Sequence, residues 1–475
     1  MTTRSDMAWR QGFHLMPPAG WLNDPNALCQ FDGTFHVCFQ YWPNRPSRAS
    51  RGWGHWESKD LVSWTWRGTP LMPDSPTDWD GAFSGSAYLG AGGIRIYYTG
   101  NVKEPGEHDM VNEGRGANQI LVTSEDGETL SAKECLLTNE DYPSWASCHV
   151  RDPKLWNQDG LTHMVLGARD RDSRGALLVY ASDDGRDWKL ERTMRSRGDF
   201  GFMWECPDRL EFDGREWLAI CPQGMDHERT RNQNVYSAGY VALPGRLLDC
   251  DGIEPTDFRE WDHGFDFYAP QTFVDEGGRT ILMGWMGLPD VDYTNPTTGL
   301  GDEWWEHCLT VPRVITAEGD HLLQWPVAEL DELRGAEVDG LDGHHEVACG
   351  RADVCLQGIA DGSALRLEAG DDACVITYES GELALGFEGT CGYGRGERHA
   401  IVGELDDLRV LVDTSSVEVF ANGGETVMTT RWYPQETGLV VRTPDADVTH
   451  VFPMADVMSD AITVARADHH WKELS

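Results

Sequence analysis

Over the first two thirds of the chain, apolar residues come in short runs broken by paired turn residues, and they almost never recur at helical spacing. The turn pairs are Asp32-Gly33, Gly92-Gly93, Asp159-Gly160, Asp213-Gly214 and Gly277-Gly278, each of the type that closes a two-residue hairpin. The runs that follow them, such as TFHVCFQY, IRIYYTG, LTHMVLGA and RTILMGWM, are rich in β-branched and aromatic residues and predict strands. A second echo is SKDLVSW from Ser58, SEDGETL from Ser124 and SDDGRDW from Ser182, which reads as one outer turn used three times. Five all-β units of about four strands each predict a five-bladed β-propeller, with an irregular pair of β-sandwiches as the alternative.

The pattern then changes. From residue 344 onward apolar and polar residues alternate, as in DLRVLVDTSSVEVF, and Asn422-Gly423-Gly424 marks a turn, so this part is expected to be an antiparallel β-sandwich. Between the two, Trp325 to Gly343, with Pro326 and the acidic run EVDGLDG, reads as a short helix and linker. The expected division is therefore all-β: a propeller over 1–325, a linker over 326–343 and a sandwich over 344–475. Of 20 Trp, 18 fall in the first 325 residues, which assigns the ligand-handling work to the propeller.

Charge narrows the choice of partner. The chain carries 79 acidic and 39 basic side chains, a formal net charge of −40, so phosphate backbones and anionic lipid would repel it. Nucleic acid and membrane surfaces are thereby excluded as main partners. The first twenty residues lack the apolar core of a secretory signal and no run of eighteen apolar residues follows, so the expected location is the cytoplasm. Twelve Cys without any C-x-x-C are read as reduced, mostly buried thiols. His344-His345 and His469-His470 lack ligand spacing and are read as exposed turns, so no metal is assigned.

In a propeller, residues at one offset before each hairpin turn sit at the start of the unit's first strand, near the axis. That offset, seven or eight residues, picks out Asp24, Ser84, Asp152, Glu205 and Ala269, the last near Gln271. Three carboxylates then converge on one pocket. Like charges so placed are costly unless they share protons or are used chemically. Glycoside hydrolysis needs one carboxylate as nucleophile or base and a second, protonated one for the leaving oxygen. Trp21, Trp204 and Trp285 lie in or near the same strings and could offer flat faces to sugar C–H groups.

WLNDPNA, QYWP, WGHWES, FSGSA, RDP, WECPD, YAPQT, GWM and LTVPR, in this order, resemble glycoside hydrolase family 32, which includes invertases and β-fructofuranosidases. SSVEVFANGG and TTRWYP extend the resemblance into the second part of the chain. The resemblance implies a five-bladed propeller followed by a β-sandwich. It also implies that Asp24 is the nucleophile, Glu205 the general acid and base and Asp152 the transition-state stabiliser of a retaining β-fructofuranosidase.

Arg151 and Tyr268 are then neighbours that keep Asp152 ionised and orient Glu205, whose own proton affinity adjacent negative charge should raise. Asn23, Gln40, Trp53, Phe83, Ser84 and Trp285 match positions lining the fructose pocket. The loop after QYWP departs from the family pattern by carrying Arg45, Arg48 and Arg51. With Lys103 and Arg115 these make a phosphorylated sugar a candidate. The expected partner is a small-molecule fructoside: sucrose, sucrose 6-phosphate or a short fructo-oligosaccharide, taken by a monomer or homodimer without cofactor. Fructosyl transfer, a five-bladed pentosidase and a non-catalytic sugar-binding protein are the alternatives.

Overall fold

The computed structural model describes residues 9–43, 51–90, 92–291, 293, 295–300 and 304–467. Five antiparallel sheets form the first part. Their first strands are Gly20–Phe31, Ala82–Gly90, Ala146–Gln158, Met203–Phe212 and Tyr268–Val274. Each of these touches the next, and the fifth touches the first, which closes a five-bladed ring. A short strand, Trp305–Glu306, pairs parallel with Gly20–Phe31 and ties the end of the ring to its beginning.

The second strands, for example Thr34–Trp42 and Leu161–Asp170, are buried along most of their length because blades cover both of their faces. That is why the apolar runs are continuous and do not alternate. The hairpin turns fall as expected at Asp32-Gly33, Asp159-Gly160 and Asp213-Gly214. In the second blade Gly90 pairs with Gly93, so Gly93 belongs to the strand. In the fifth, Val274 pairs with Thr280, and Gly277-Gly278 sits in a longer loop that the Asp275 carboxylate closes on the Arg279 amide.

The outer-turn echo is one structure repeated. Ser58, Ser124 and Ser182 each donate a hydroxyl to Asp60, Asp126 and Asp184, respectively, at 3.0 Å. Each of those carboxylate oxygens accepts two further backbone amides at 2.7–3.0 Å. The aspartate thus replaces backbone partners that a tight turn leaves without acceptors.

The second part is a sandwich of a six-stranded and a five-stranded sheet. Its inner faces bury Val354, Leu367, Ile376, Leu385, Val410, Val419 and Val441, the positions that alternate in the sequence. Asn422–Gly424 turns Ser416–Ala421 into Thr426–Arg431. A 3-10 helix, Ala328–Leu333, lies between the two parts. His344 and His345 depart from the expected exposed turn. They lie in the strand His344–Val347, and buried His345 points Nδ1 at the Val338 carbonyl, 3.1 Å away. His469 and His470 lie outside the described residues.

The two parts are joined by charge as well as by packing. His14 sits between Asp413 (2.8 Å) and Glu418 (2.7 Å), fully buried, and the backbone amides of Gly12 and Phe13 also donate to Asp413. Arg313 of the fifth blade reaches both Glu418 and Asp262. The only helix of eight or more residues among those described, Met458–Ala467, follows the sandwich and packs Met458, Ile462 and Ala465 into the propeller's core.

Candidate active site

Every first strand is interrupted by a bulge near its start: between Leu22 and Pro25, Ala82 and Gly85, Arg151 and Lys154, Glu205 and Asp208, and Tyr268 and Gln271. A bulge kinks the strand and re-aims its side chains. In the last three blades the residue before proline takes a left-handed backbone: Asp152 (φ 62°), Cys206 (φ 46°) and Ala269 (φ 46°). Cys206, not Glu205, is therefore the counterpart of Asp152. The acids do converge, but Glu205 does so from one position upstream, which corrects the offset reading.

The bulges open onto an axial cavity of about 570 Å³. Asp24, Asp152 and Glu205 line it together with Asn23, Gln40, Phe83, Ser84, Arg151, Tyr268 and Trp285. Trp53 does not. It is buried between the first two blades and packs edge-on against Tyr98, because Gly52–Ser58 is covered on both faces. Trp204 likewise belongs to the core, donating its indole N–H to Phe200, whereas Trp21 lines the cavity.

Asp24 is held by its neighbours' donors. Ser84 Oγ lies 2.5 Å from Oδ2 and Asn23 Nδ2 lies 3.0 Å from Oδ1, while Gln40 links Ser84 (2.7 Å) to Asn23 (3.0 Å). Burial raises the Asp24 carboxyl above its ordinary range despite the Ser84 bond, and the charge of Glu205 adds to the rise. Asp152 accepts the backbone amide of Cys206 at 3.0 Å and stands 3.9 Å from Arg151. Burial pushes it up to about 7, opposed by Arg151 and reinforced by Glu205. Removal from water thus works against the ionisation that Arg151 favours at Asp152.

Arg151 gives its fork to Glu205, with Nε at 3.0 Å and Nη2 at 2.6 Å from Oε1. On the other oxygen Glu205 accepts Tyr268 Oη at 2.7 Å and Gln223 Nε2 at 2.6 Å. Four donated bonds fix this carboxylate in place. Arg151 is itself oriented by His149, whose Nδ1 is 2.9 Å from Nη1; burial and the neighbouring guanidinium groups hold His149 neutral, pushed down to about 3.

Several lining residues were not singled out in the sequence. Gln223 and Asn101 lie on second strands, and Trp42, Asp80, Pro289 and Asp290 come from strand ends and loops. Gln223 pairs across the strands with Met203, near the WECPD string, a signal that strand register would have supplied. Arg51, Lys103 and Arg115 all line the same cavity. Arg51 lies over Trp42 and Phe83, 5.3 and 5.9 Å from their ring centres. Arg45 and Arg48 lie outside the described residues.

A five-bladed ring that gathers paired carboxyls and aromatic faces in one axial funnel is the build of a glycoside hydrolase. The glycosyl hydrolases family 32 N-terminal domain matches residues 14–326, and the family 32 C-terminal domain matches residues 384–455; the chain belongs to glycosyl hydrolases family 32. It is 35% identical to a sucrose-6-phosphate hydrolase of Bacillus subtilis over 440 residues, 90% of this chain and 89% of that protein. It is also 35% identical to a raffinose invertase of Escherichia coli, with 92% of each chain covered. The solved sucrose-6-phosphate hydrolase of Lactobacillus gasseri superposes with a TM-score of 0.83 at 27% identity, covering 94% of both chains.

Proposed function

We propose that this chain is a retaining β-fructofuranosidase that hydrolyses sucrose 6-phosphate and sucrose. The observation that carries the reading is the placement of Asp24, Asp152 and Glu205 in one cavity with Arg51, Lys103 and Arg115. Asp24 attacks C2 of the terminal fructosyl unit, and the donors on Ser84 and Asn23 keep its oxygens aimed. A proton on Glu205 passes to the leaving oxygen. The carboxylate so formed is the species that Arg151, Tyr268 and Gln223 stabilise. It then takes a proton from the water that releases fructose from Asp24, with retention. Asp152 accepts fructose hydroxyls, and Trp21 and Trp285 present apolar faces. This hydrolysis requires no cofactor.

In a chain of net charge −40, three cations lining the substrate cavity besides the Glu205-bound Arg151 favour an anionic group on the leaving sugar. The test compares kcat/KM for sucrose 6-phosphate and sucrose in the wild type and in Lys103→Met and Arg115→Met. A loss of tenfold or more for the phosphorylated sugar, with sucrose changed less than twofold, is expected. Equal losses on both sugars would remove the phosphate reading and leave plain invertase action. Fructosylated products in place of free fructose would favour transfer. We take the active species to be a monomer or a homodimer. We also place the protein in the cytoplasm. Among the described residues no helix is long and apolar enough to cross a membrane, and all twelve cysteines are free, which fits a reducing compartment.

A further inference from the structure

Outside the sugar cavity, the first blade holds a second compact group of titratable side chains. In the antiparallel pair Thr34–Trp42 and Gly52–Ser58, His36 lies opposite Glu57 and Cys38 lies opposite His55. Spacing of two along each strand puts all four on one face of the sheet. His36, His55 and Glu57 are 6, 5 and 6% exposed, respectively. His36 Nδ1 is 3.2 Å from His55 Nε2 and 3.4 Å from Glu57 Oε1, and His55 Nε2 is 3.8 Å from that same oxygen.

The other Glu57 oxygen accepts Arg67 Nε at 2.7 Å, while Oε1 accepts no hydrogen bond. A buried carboxylate oxygen without a hydrogen bond, set beside two ring nitrogens, is costly unless a proton or a cation sits among them. His36 Nδ1 and His55 Nε2 face each other as a hydrogen-bonded pair, and a cation between them would displace the one proton they share.

The dimensions fit a small cation. Ligand atoms about 2.0–2.1 Å from a tetrahedral zinc stand about 3.3–3.4 Å from one another, which matches the separations of 3.2 and 3.4 Å and requires the His55–Glu57 pair at 3.8 Å to close slightly. A cavity of about 20 Å³ adjoins the group, bordered by His36, His55, Cys29 and Cys38. It has room for one water. Arg67 supplies the outer hydrogen bond that orients a ligating carboxylate.

We propose that His36, His55 and Glu57 bind one divalent transition-metal ion, with Zn2+ preferred and a water completing the tetrahedron. Two nitrogen ligands select against Mg2+ and Ca2+, which take oxygen. None of the three residues lines the sugar cavity. The small cavity beside them is also bordered by Ile94, Ile96 and the segment Ser124 to Glu128 of the second blade. The ion would therefore brace the second and third strands of the first blade near its seam with the second blade, without taking part in glycoside cleavage.

The experiment uses the full chain, stripped with chelator and equilibrated with micromolar Zn2+, with bound metal counted by atomic emission. Thermal unfolding is followed with and without the ion. We expect one zinc per chain, a melting temperature raised by Zn2+, and tetrahedral d–d bands when Co2+ replaces it. Glu57→Gln and His55→Gln should lose all three signatures while retaining sucrose turnover, which also shows that they fold. Should His55→Gln fail to fold, Glu57→Gln and the wild-type titration still decide. No stoichiometric zinc in the wild type, or undiminished zinc in a folded Glu57→Gln, overturns the site and leaves a hydrogen-bonded histidine pair beside Glu57.

Discussion

Asp24 and Asp152 line one cavity, and burial together with neighbouring negative charge raises both carboxyls. With Asp152 pushed up to about 7, its carboxylate is lost as pH falls through that value. If the carboxylate receives the fructose hydroxyls, kcat/KM should fall on the acid side of about 7. Arg151→Met should shift that limb to higher pH, because Arg151 is the group that opposes the rise. A pH–rate profile of the two proteins checks this; identical limbs would separate Asp152 from the acid limb. For folding the sign is reversed: ionising Asp152 is harder in the folded chain, so it withdraws stability as pH rises from the ordinary carboxylate range toward 7. Replacing Glu205 by Gln removes the proton donor and should lower kcat by about 10²–10⁴, with the covalent intermediate accumulating on substrates whose leaving group needs no acid.

At the level of the strand, bulges determine which residue meets the sugar. Ser84 reaches Asp24 because Gly85 lets the second blade's first strand lie against its neighbour. A Cβ on Gly85 would stand 2.1 Å from the Tyr97 carbonyl oxygen and 2.6 Å from Tyr98 Cα. Those are backbone atoms that cannot rotate away. Gly85→Ala should therefore shift the strand, lengthen the Ser84–Asp24 bond and lower kcat more than tenfold, with a lower melting temperature. Ser84→Ala, which removes only the hydroxyl, should lower kcat while leaving the melting temperature nearly unchanged. Comparing the two by calorimetry and steady-state kinetics separates strand position from the bond itself.

Across the whole molecule, the buried charges between propeller and sandwich couple folding to pH. His14 is raised from 6.5 to about 9 by Asp413 and Glu418, although burial alone would lower it. Its contribution is complete below 6.5 and is lost as pH rises through about 9. Asp413 and Glu418 are lowered, by His14 and Arg313 against the opposing effect of burial. Their contribution is present above the ordinary carboxylate range and fades on acidification. Melting temperature should therefore be highest between those limits and decline from about 6.5 to 9. His14→Gln should flatten the alkaline decline and cost about 3–5 kcal/mol, since it leaves buried Asp413 without its cation and Glu418 with Arg313 alone. A decline of equal slope in His14→Gln would assign the alkaline loss to other groups.

The strands, the repeat, the Ser–Asp turns and the acid strings could all be read along the chain, because each depends on neighbours a few residues away: apolar runs, turn pairs, and a side chain closing its own loop. Which members of those strings face the sugar could not. Trp53 and Trp204 have the same local chemistry as Trp21 and Trp285, and only the stacking of blades sends the first pair into the core and the second to the cavity. The seven-or-eight offset hid a bulge, so Cys206 rather than Glu205 answers to Asp152. The pairing of Trp305–Glu306 with the first strand, the seat of His14 in the sandwich and the helix returning to the propeller join residues hundreds of positions apart. Contacts of that range leave no periodicity in a sequence; they exist only once the ring has closed.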